Sequence, residues 1–411
     1  MLRTIQIRNF KSFDDSGAVE LEPLTVLFGP NAAGKSNFID ALLLTSRLAS
    51  ERTLADAFGG PIRGRVIEAF RFGPQGLPGL LTQDRATLGL EVTLTAANEG
   101  LRYRTDVALL PRSGELTVED EYLATLTRGG DPKGNPSIER VENHLHVRRK
   151  GKAARPYKIE RGSFTQLADR RFSGPGYRSI ERCRNELSSW RAYYLDPRVA
   201  MRSAQAPQEV FDIGALGEHV APFLYRLRST EGGKPFKAVV RTLRTIIPTV
   251  EDLNVELNTQ RGEVELTIVQ DGVACPARVV SEGTLRVLAL ACIAVNPFGG
   301  AVVAFEEPEN GVHPRRIELI AKLLVEMGRR GRQLVVTTHS PVFCAEVMRL
   351  SRTEKAPIRM YNVLRERGAS RLKRFELTGP LFQDAELRQA LADPSDETIL
   401  EAAMVRGLLD G

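Results

Sequence analysis

The sequence predicts an α/β protein in which a mixed or parallel sheet is flanked by helices, with an inserted antiparallel β lobe and a helical segment. Three observations lead to this fold class. A short apolar run at 24–28 enters a glycine-rich loop and then a segment with helical spacing. Two later apolar runs, 301–305 and 333–338, are continuous, which is typical of strands buried on both faces of a parallel sheet. Between the first apolar run and these two later ones, the chain alternates between apolar and polar residues from residue 88, as antiparallel strands do.

The composition is that of an ordinary globular chain, with 411 residues, 42% hydrophobic and 26% charged. These values exclude a disordered or fibrous protein. The first eight residues alternate like a strand and do not resemble a signal peptide, and the longest apolar stretch, from Val287, is broken at Asn296. We therefore expect a cytoplasmic protein without a membrane span. The cysteines show no paired spacing, which predicts neither disulfides nor a zinc site; they are Cys183, Cys275, Cys292 and Cys344.

The elements of the predicted core lie at the two ends of the chain. Residues 2–28 predict two strands joined by a polar turn at 14–17, and a helix follows to about Leu48. Near the other end, a hairpin is predicted at 252–257 and 264–269, and a buried helix at 282–295. We assign residues 1–50 and 248–411 to this core.

The middle of the chain is predicted to be inserted into the core. Residues 50–85 are rich in glycine and predict loops. Antiparallel strands are predicted at 88–95, 101–109, 122–127 and 145–159. Helical spacing returns at 177–247, with a loop at 193–208 and a helix at 236–247. We assign 51–176 to an antiparallel β lobe with loops, and 177–247 to a helical segment.

The glycine-rich loop predicts a nucleoside triphosphate site. Its glycines permit a tight turn, so that backbone N–H groups and the start of the following helix point at phosphates. Lys35 would supply a positive charge to the β- and γ-phosphates, and the Ser36 hydroxyl would be a magnesium ligand. The predicted nucleotide-binding residues are Gly29, Pro30, Asn31, Ala32, Ala33, Gly34, Lys35, Ser36 and Asn37.

The two later buried strands end in residues suited to phosphate chemistry. Run 301–305 leads into Glu306, which would hold magnesium through water, and Glu307, which would align and deprotonate the attacking water. Run 333–338 ends at His339, whose ring could donate a hydrogen bond to the γ-phosphate. We predict that Lys35, Glu307 and His339 are catalytic and that Ser36 and Glu306 hold the metal.

The order of these motifs resembles that of an ABC-class ATPase head. Between the phosphate loop and the glutamates lies a Ser-x-Gly helix start at 281–283, and the loop 310–314 follows the glutamates. The resemblance implies a P-loop NTPase fold, the cofactors ATP and Mg²⁺, and a homodimer formed on ATP binding. It also implies a signature that acts in trans, formed by Ser281, Glu282 and Gly283, and a dimer loop that contains Asn310, Gly311 and His313.

Within this class, three segments are similar to the RecF/SMC/OLD lineage of DNA-repair and phage-defence ATPases: 7–13, the phosphate loop, and Glu-Glu-Pro-Glu-Asn-Gly at 306–311. The resemblance places Asn9 and Lys11 near the nucleotide and requires a glutamine loop, for which Gln75 and Gln83 are both candidates. The long coiled coils of SMC proteins are not predicted here. The last 67 residues also lack the Asp-x-Asp pair of OLD nucleases, so we expect no intrinsic nuclease.

Positive charge is concentrated in one segment. Residues 140–191 contain fourteen Lys or Arg against five Asp or Glu, a local net charge of +9 in a chain of net charge +6. The segment could contact DNA phosphates, or it could be a solvated face that keeps the protein soluble. The nucleic-acid candidates are Arg148, Arg149, Lys150, Lys152, Arg155 and Lys158.

These observations leave more than one function open. The favoured hypothesis is an ATPase that dimerises on ATP and binds DNA or licenses an effector, such as a nuclease or toxin, in repair or phage defence. The alternative is a nucleotide-gated scaffold with slow turnover that binds such a partner protein instead of DNA. A transporter ATPase is a third alternative, which the lineage motifs disfavour. Residues 370–411, with helical spacing at 385–391 and 398–408, could close the head or bind a partner.

Overall fold

The computed structural model describes residues 1–60, 62–151, 155–158 and 162–375. The chain forms two compact units, which are described separately. The first unit contains Met1–Glu22, Gly29–Trp190 and Tyr361–Arg374. Among described residues, the second contains Pro23–Phe28, Arg191–Met360 and Phe375. The helices predicted at 385–391 and 398–408 lie outside the described residues.

The strands are numbered in chain order. They are β1 (Leu2–Phe10), β2 (Phe13–Asp15), β3 (Val19–Glu20), β4 (Leu24–Phe28), β5 (Ala86–Ala96), β6 (Glu99–Leu110), β7 (Glu115–Leu126), β8 (Ile138–Val141), β9 (His144–Val147), β10 (Arg155–Lys158), β11 (Arg191–Tyr193), β12 (Val250–Asn258), β13 (Glu263–Gln270), β14 (Val273–Pro276), β15 (Val302–Glu306), β16 (Gln333–Thr338), β17 (Ile358–Glu366) and β18 (Ala369–Arg374).

The α-helices are numbered in the same way. They are α1 (Lys35–Leu48), α2 (Leu54–Phe58), α3 (Gly76–Leu81), α4 (Arg178–Ser188), α5 (Val220–Ser229), α6 (Lys234–Ile246), α7 (Glu282–Val295), α8 (Ile317–Arg329) and α9 (Pro341–Thr353). Short 3₁₀ turns occur at Val66–Ala69, Pro175–Tyr177, Ala200–Arg202, Thr230–Gly233, Ala277–Val279 and Pro314–Arg316. In the described part of the chain, no helix is both long and apolar enough to cross a membrane.

The first unit is built on an antiparallel sheet that, among the described residues, has nine strands. Its order is β10-β9-β8-β7-β6-β5-β1-β2, and β3 pairs with β1. The central strands β5, β6 and β7 alternate between buried apolar and partly exposed polar residues, as expected for a sheet with one buried face. The N-terminal strand β1 pairs with β5, so long-range pairing joins the start of the chain to the lobe.

The second unit contains four parallel strands in the order β11-β15-β16-β4 within the described chain. Glu306 is aligned with Thr337, and Thr338 with Phe28, so β15, β16 and β4 end at the same edge. All five residues of β4 and all six of β16 are buried, which explains their continuous apolar patterns. Helix α7 is buried over most of its length and belongs to the same core cluster.

Most elements predicted near the site are confirmed. Helices α1 and α7, strands β15 and β16, and the antiparallel pair β12–β13 lie where the patterns place them. The chain up to Phe28 holds four strands instead of the predicted two, because a turn at Lys11 and Ser12 separates β1 from β2 and the non-strand residues 21–23, which end in a proline, separate β3 from β4.

Other predicted elements need correction. The single strand predicted at 145–159 is two antiparallel strands, β9 and β10. The segment 50–85 contains two short helices, and the first is capped by Thr53, whose side chain accepts from Asp56 N–H. Helix α6 starts at Lys234, two residues earlier than predicted, because proline is tolerated in a first helical turn. Strand β11 lies within the segment for which helical spacing was predicted.

Candidate functional site

The phosphate loop has the conformation that its glycines predict. Gly29 and Gly34 have φ values of 142° and 111°. A Cβ added to Gly34 would lie 2.1 Å from Ser370 Oγ, and one added to Gly29 would lie 2.3 Å from the Val363 carbonyl oxygen. Only glycine therefore fits at these positions. Lys35 Nζ donates to the carbonyl oxygens of Gly29 and Pro30 at 2.7 and 2.9 Å, so its charge lies inside the loop.

Helix α1 starts in a way that suits an anion. Its N-cap residue, Gly34, has no side chain that could cap the first N–H groups of the helix, and the first turn contains no acidic residue. Backbone N–H groups and the positive end of the helix dipole are favourable to phosphate at such a terminus. The residues of the loop therefore fit a nucleoside triphosphate, with Ser36 in the first turn as a candidate metal ligand.

The residues near the turn after β1 are held by local contacts. Lys11 Nζ donates to Asp40 Oδ2 at 2.6 Å and to the Arg63 carbonyl oxygen at 2.7 Å. Asp40 is fully buried on α1, so this ion pair fixes the turn to the helix that follows the phosphate loop. Asn9 is exposed and has a positive φ of 49°. Asn37 donates through its amide to Ser12 Oγ at 2.8 Å.

In the second unit, a carboxylate and a histidine meet at the carboxyl ends of β15 and β16. His339 Nδ1 lies 2.7 Å from Glu307 Oε1, which is hydrogen-bond distance. Glu307 has a φ of 46°, an unfavourable value for a residue other than glycine, and its N–H donates to the Thr337 carbonyl oxygen at 3.0 Å. Glu306, the last residue of β15, is half-buried beside them. The structure thus brings together the residues predicted to be the base and the phosphate sensor.

A third carboxylate, Glu309, lies beneath this pair, and our sequence analysis gave it no role. Its Oε1 accepts a hydrogen bond from Thr338 Oγ1, whereas its Oε2 is buried without a hydrogen-bond partner in the described residues. Burial raises the pKa of Glu309, while the Thr338 hydrogen bond opposes the rise. The repeated glutamates in Glu-Glu-Pro-Glu were the available signal.

The Ser-x-Gly segment caps α7 and lies against the dimer-loop residues of the same unit. Ser281 Oγ accepts from the Thr284 N–H at 3.3 Å, as an N-cap does. A Cβ on Gly283 would lie 2.4 Å from the Gly311 carbonyl oxygen, so this close approach requires glycine. Glu282 forms a 2.6 Å ion pair with Arg198.

The dimer-loop residues form a tight turn. The Asn310 N–H donates to the Glu307 carbonyl oxygen at 3.1 Å, and Gly311 has a φ of 72°. The exposed His313 accepts from the Arg315 N–H through Nδ1 at 3.3 Å and so caps the 3₁₀ turn that precedes α8. Asn310, Gly311 and His313 are all exposed.

A comparison with protein-family models decides the family. Residues 24–345 match the model described as "AAA domain, putative AbiEii toxin, Type IV TA system". The chain belongs to this AAA-domain family. No curated protein matches it.

Two solved structures show the fold of this member of the AAA-domain family. One, "Crystal structure of the SmcHead bound to the C-winged helix domain of ScpA", has a TM-score of 0.54 and 12% identity, over 92% of this chain and 98% of that one. The other is an Smc head with an extended coiled coil from Pyrococcus furiosus, bound to the C-terminal domain of ScpA. It has a TM-score of 0.54 and 13% identity, over 94% and 99%. The predicted fold of an ABC-class ATPase head is confirmed, and the chain carries an ATPase-type nucleotide-binding domain.

In the basic segment of this AAA-domain protein, the side chains of Arg148 and Arg149 contact other residues of the chain. Arg148 forms an ion pair with Glu139 and donates to the Pro136 carbonyl oxygen at 3.0 Å. Arg149 packs closely on Gly176. Lys150 follows in the same exposed turn. Of the other three candidates, Lys152 lies outside the described residues, and Arg155 and Lys158 belong to β10.

The two glutamine-loop candidates lie on either side of α3. Gln75 is the residue before the helix, and Gln83 follows its C-terminal end. Both side chains are exposed. Their positions leave both candidates open.

Proposed function

We propose that this protein binds and hydrolyses ATP, that ATP binding joins two copies, and that the dimer binds DNA or licenses an effector protein. The Glu307–His339 pair, at the carboxyl edge of a parallel sheet in an ABC-class head, carries this proposal. Parallel sheets bind ligands outside the carboxyl ends of their strands. The conformation of the phosphate loop, which suits a triphosphate, supports the same function.

The chemistry assigned to each residue follows from its position. Lys35 would bind the β- and γ-phosphates. Glu307 would take a proton from water as the water oxygen bonds to the γ-phosphorus and the bond to the β,γ-bridging oxygen breaks. His339, by its hydrogen bond, would orient Glu307 and keep it in position. Bound Mg²⁺ would neutralise phosphate charge, with Ser36 and Glu306 as its candidate residues.

Dimerisation is proposed from the signature and the exposed dimer-loop residues. Ser281 is exposed at the start of α7, so its hydroxyl can reach a phosphate of a second copy. Gly283 lets this helix start approach Gly311 closely, so a second copy that contacts one of the two segments would also lie near the other. The Smc heads named above are bound to domains of ScpA, a precedent for a protein partner of such a head.

The test is the mass of a Glu307→Gln variant, measured by light scattering with and without ATP and Mg²⁺. This variant keeps the contacts needed for binding but lacks the base, so we expect ATP to double its mass. Lys35→Ala in the same background is the control that cannot hold the triphosphate, and its mass should not change. An unchanged mass in the Glu307→Gln protein, with ATP binding demonstrated separately, would refute the dimer.

A second measurement separates the ATPase from the scaffold alternative. Phosphate release by the wild-type protein should occur and should fall by at least about a hundredfold in Glu307→Gln, because a general base contributes that much. ATP-dependent dimerisation without phosphate release in the wild type would favour the nucleotide-gated scaffold that binds a nuclease or toxin.

A further inference from the structure

Helix α6 presents a row of four cations to solvent. Lys234, Lys237, Arg241 and Arg244 are all exposed. Since an α-helix turns by about 100° per residue, they lie within an arc of about 80°, and the rise of 1.5 Å per residue makes the row about 15 Å long. The opposite face of the helix is buried; its buried residues are Pro235, Val239, Leu243 and Ile246.

These cations lack partners within the described residues. No side chain of the row makes a hydrogen bond or ion pair there, and α6 itself contains no acidic residue. Helix α8 and its C-cap residue offer the contrast, because Lys322 pairs with Glu318 at 2.5 Å and the C-cap Arg330 pairs with Glu326 at 2.9 Å. Like charges three or four residues apart on a helix repel each other, so the row is unfavourable until an anion binds.

The other face of this region has the opposite charge. Strands β12 and β13 pack their apolar side into the core cluster that also contains Val239, Leu243 and Ile246 of α6. Their outer side carries carboxylates, and Glu256 and Glu265 are aligned directly opposite each other. A polyanion is therefore repelled by the outer face of the sheet and attracted to the helix.

We propose that the basic face of α6 is a contact surface for the phosphate backbone of duplex DNA. The side chains between the cations, such as Ala238 and Thr242, are small, so the row offers charge without the aromatic anchors that are typical of protein interfaces. It also lacks the large apolar side chains that an interfacial membrane helix inserts. Duplex DNA has a phosphate every 3.4 Å along each strand, so a row of about 15 Å can reach several phosphates. The inference rests on the proposed function only for the choice of DNA as the polyanion.

Salt dependence gives the expected size of the effect. Each phosphate contact contributes about −0.9 to the slope of log affinity against log salt, so four contacts contribute about −3.6. Between 50 and 200 mM salt, this slope corresponds to a loss of affinity of about 150-fold. Replacing two of the four cations should reduce the magnitude of the slope by about 1.8.

The test is fluorescence anisotropy of a labelled 30-base-pair duplex with the full chain, with and without ATP. The variant is Lys237→Gln/Arg241→Gln. The matched control is Lys322→Gln/Arg330→Gln, which removes the same charge from two exposed cations, one on α8 and one at its C-cap, that are both paired. We expect the predicted change of slope only in the α6 variant. Equal slopes for the two variants would overturn the proposal, as would the absence of DNA binding by the wild-type chain.

Two further arms identify other surfaces and separate this proposal from the proposed function. A change of slope in Arg148→Gln/Arg149→Gln, with none in the α6 variant, would place the contact in the basic segment and refute ours. Binding to phosphatidylserine vesicles that is lost in the α6 variant, while DNA binding is unchanged, would replace DNA with a membrane. ATP-dependent doubling of mass in Glu307→Gln should persist when the α6 substitutions are added. The proposed ATP-dependent dimer and the proposed DNA contact of α6 can therefore be refuted independently.

Discussion

A buried carboxyl group in the first unit should make its stability depend on pH. Glu121, in β7, is fully buried. It accepts hydrogen bonds from the N–H groups of Gln166 and Leu167 at 2.6 and 2.8 Å and from the Tyr103 hydroxyl at 3.2 Å. Burial raises the pKa of Glu121 to about 7, although these hydrogen bonds oppose the rise. The carboxyl group thus fixes a loop to the sheet and titrates near neutral pH.

The sign of the effect follows from proton binding. Between pH 4.5 and 7 the folded protein keeps the Glu121 proton more tightly than the unfolded chain does, so the free energy of unfolding falls as pH rises. With pKa values of 4.5 and about 7, the contribution of this group falls by about 2.5 kcal/mol from pH 5 to pH 8. Above the folded pKa the loss levels off.

The assay is urea denaturation of the wild type and of Glu121→Gln, followed by circular dichroism at several pH values from 5 to 8. The variant cannot ionise at this position, so the difference between the two curves isolates Glu121 from the histidines. We expect the wild type to lose about 2.5 kcal/mol relative to the variant across this range. A difference that is constant with pH, or that changes in the opposite direction, would refute the reasoning.

Three further substitutions test the site and the core. Gly34→Ala forces a Cβ into the phosphate loop at a φ of 111°, a strain of about 1–2 kcal/mol, so titration with a fluorescent ATP analogue should show an affinity about tenfold lower or worse. His339→Ala removes the contact with Glu307, so phosphate release should fall by about a hundredfold while ATP affinity is kept; an equal loss of both would contradict the positioning role. Phe305→Ala, in the buried strand β15, should cost about 3–5 kcal/mol in urea denaturation.

The parts of the fold that sequence predicted well are those in which local signals agree. At the start of α7, a capping serine precedes a nearly continuous apolar run, and the helix begins and ends where these signals place it. Strand β16 is similar, because a short apolar run rich in β-branched residues is typical of a strand covered on both faces, and all six of its residues are buried. The phosphate loop is recognisable because its chemistry requires glycine at fixed positions.

The parts that sequence missed depend on partners distant in the chain. Nothing in residues 2–10 shows that β1 pairs with β5, more than eighty residues later, because either face of an alternating strand can meet many partners. Strand β11 is only three residues long, and its pairing with β15 defines it as a strand. The charge count singles out the segment 140–191, but a count cannot show that Arg148 is paired with Glu139, whereas the cations of α6 have no partner among the residues that the structure describes.

Three unusual features of the second unit lie together at one edge of its parallel sheet, whereas its other non-glycine residues with positive φ, Glu231, Asp271 and Lys355, are exposed residues elsewhere in the unit. Glu307 has a positive φ, Glu309 buries an oxygen that has no hydrogen-bond partner among the described residues, and Gly283 comes into close contact with Gly311. Strained backbone and buried unpaired polar atoms each cost free energy, and neither is needed to hold β15 and β16 in a core that is otherwise apolar. Since such costs persist mainly where function requires them, their position supports this edge as the place of the chemistry, independently of any sequence motif.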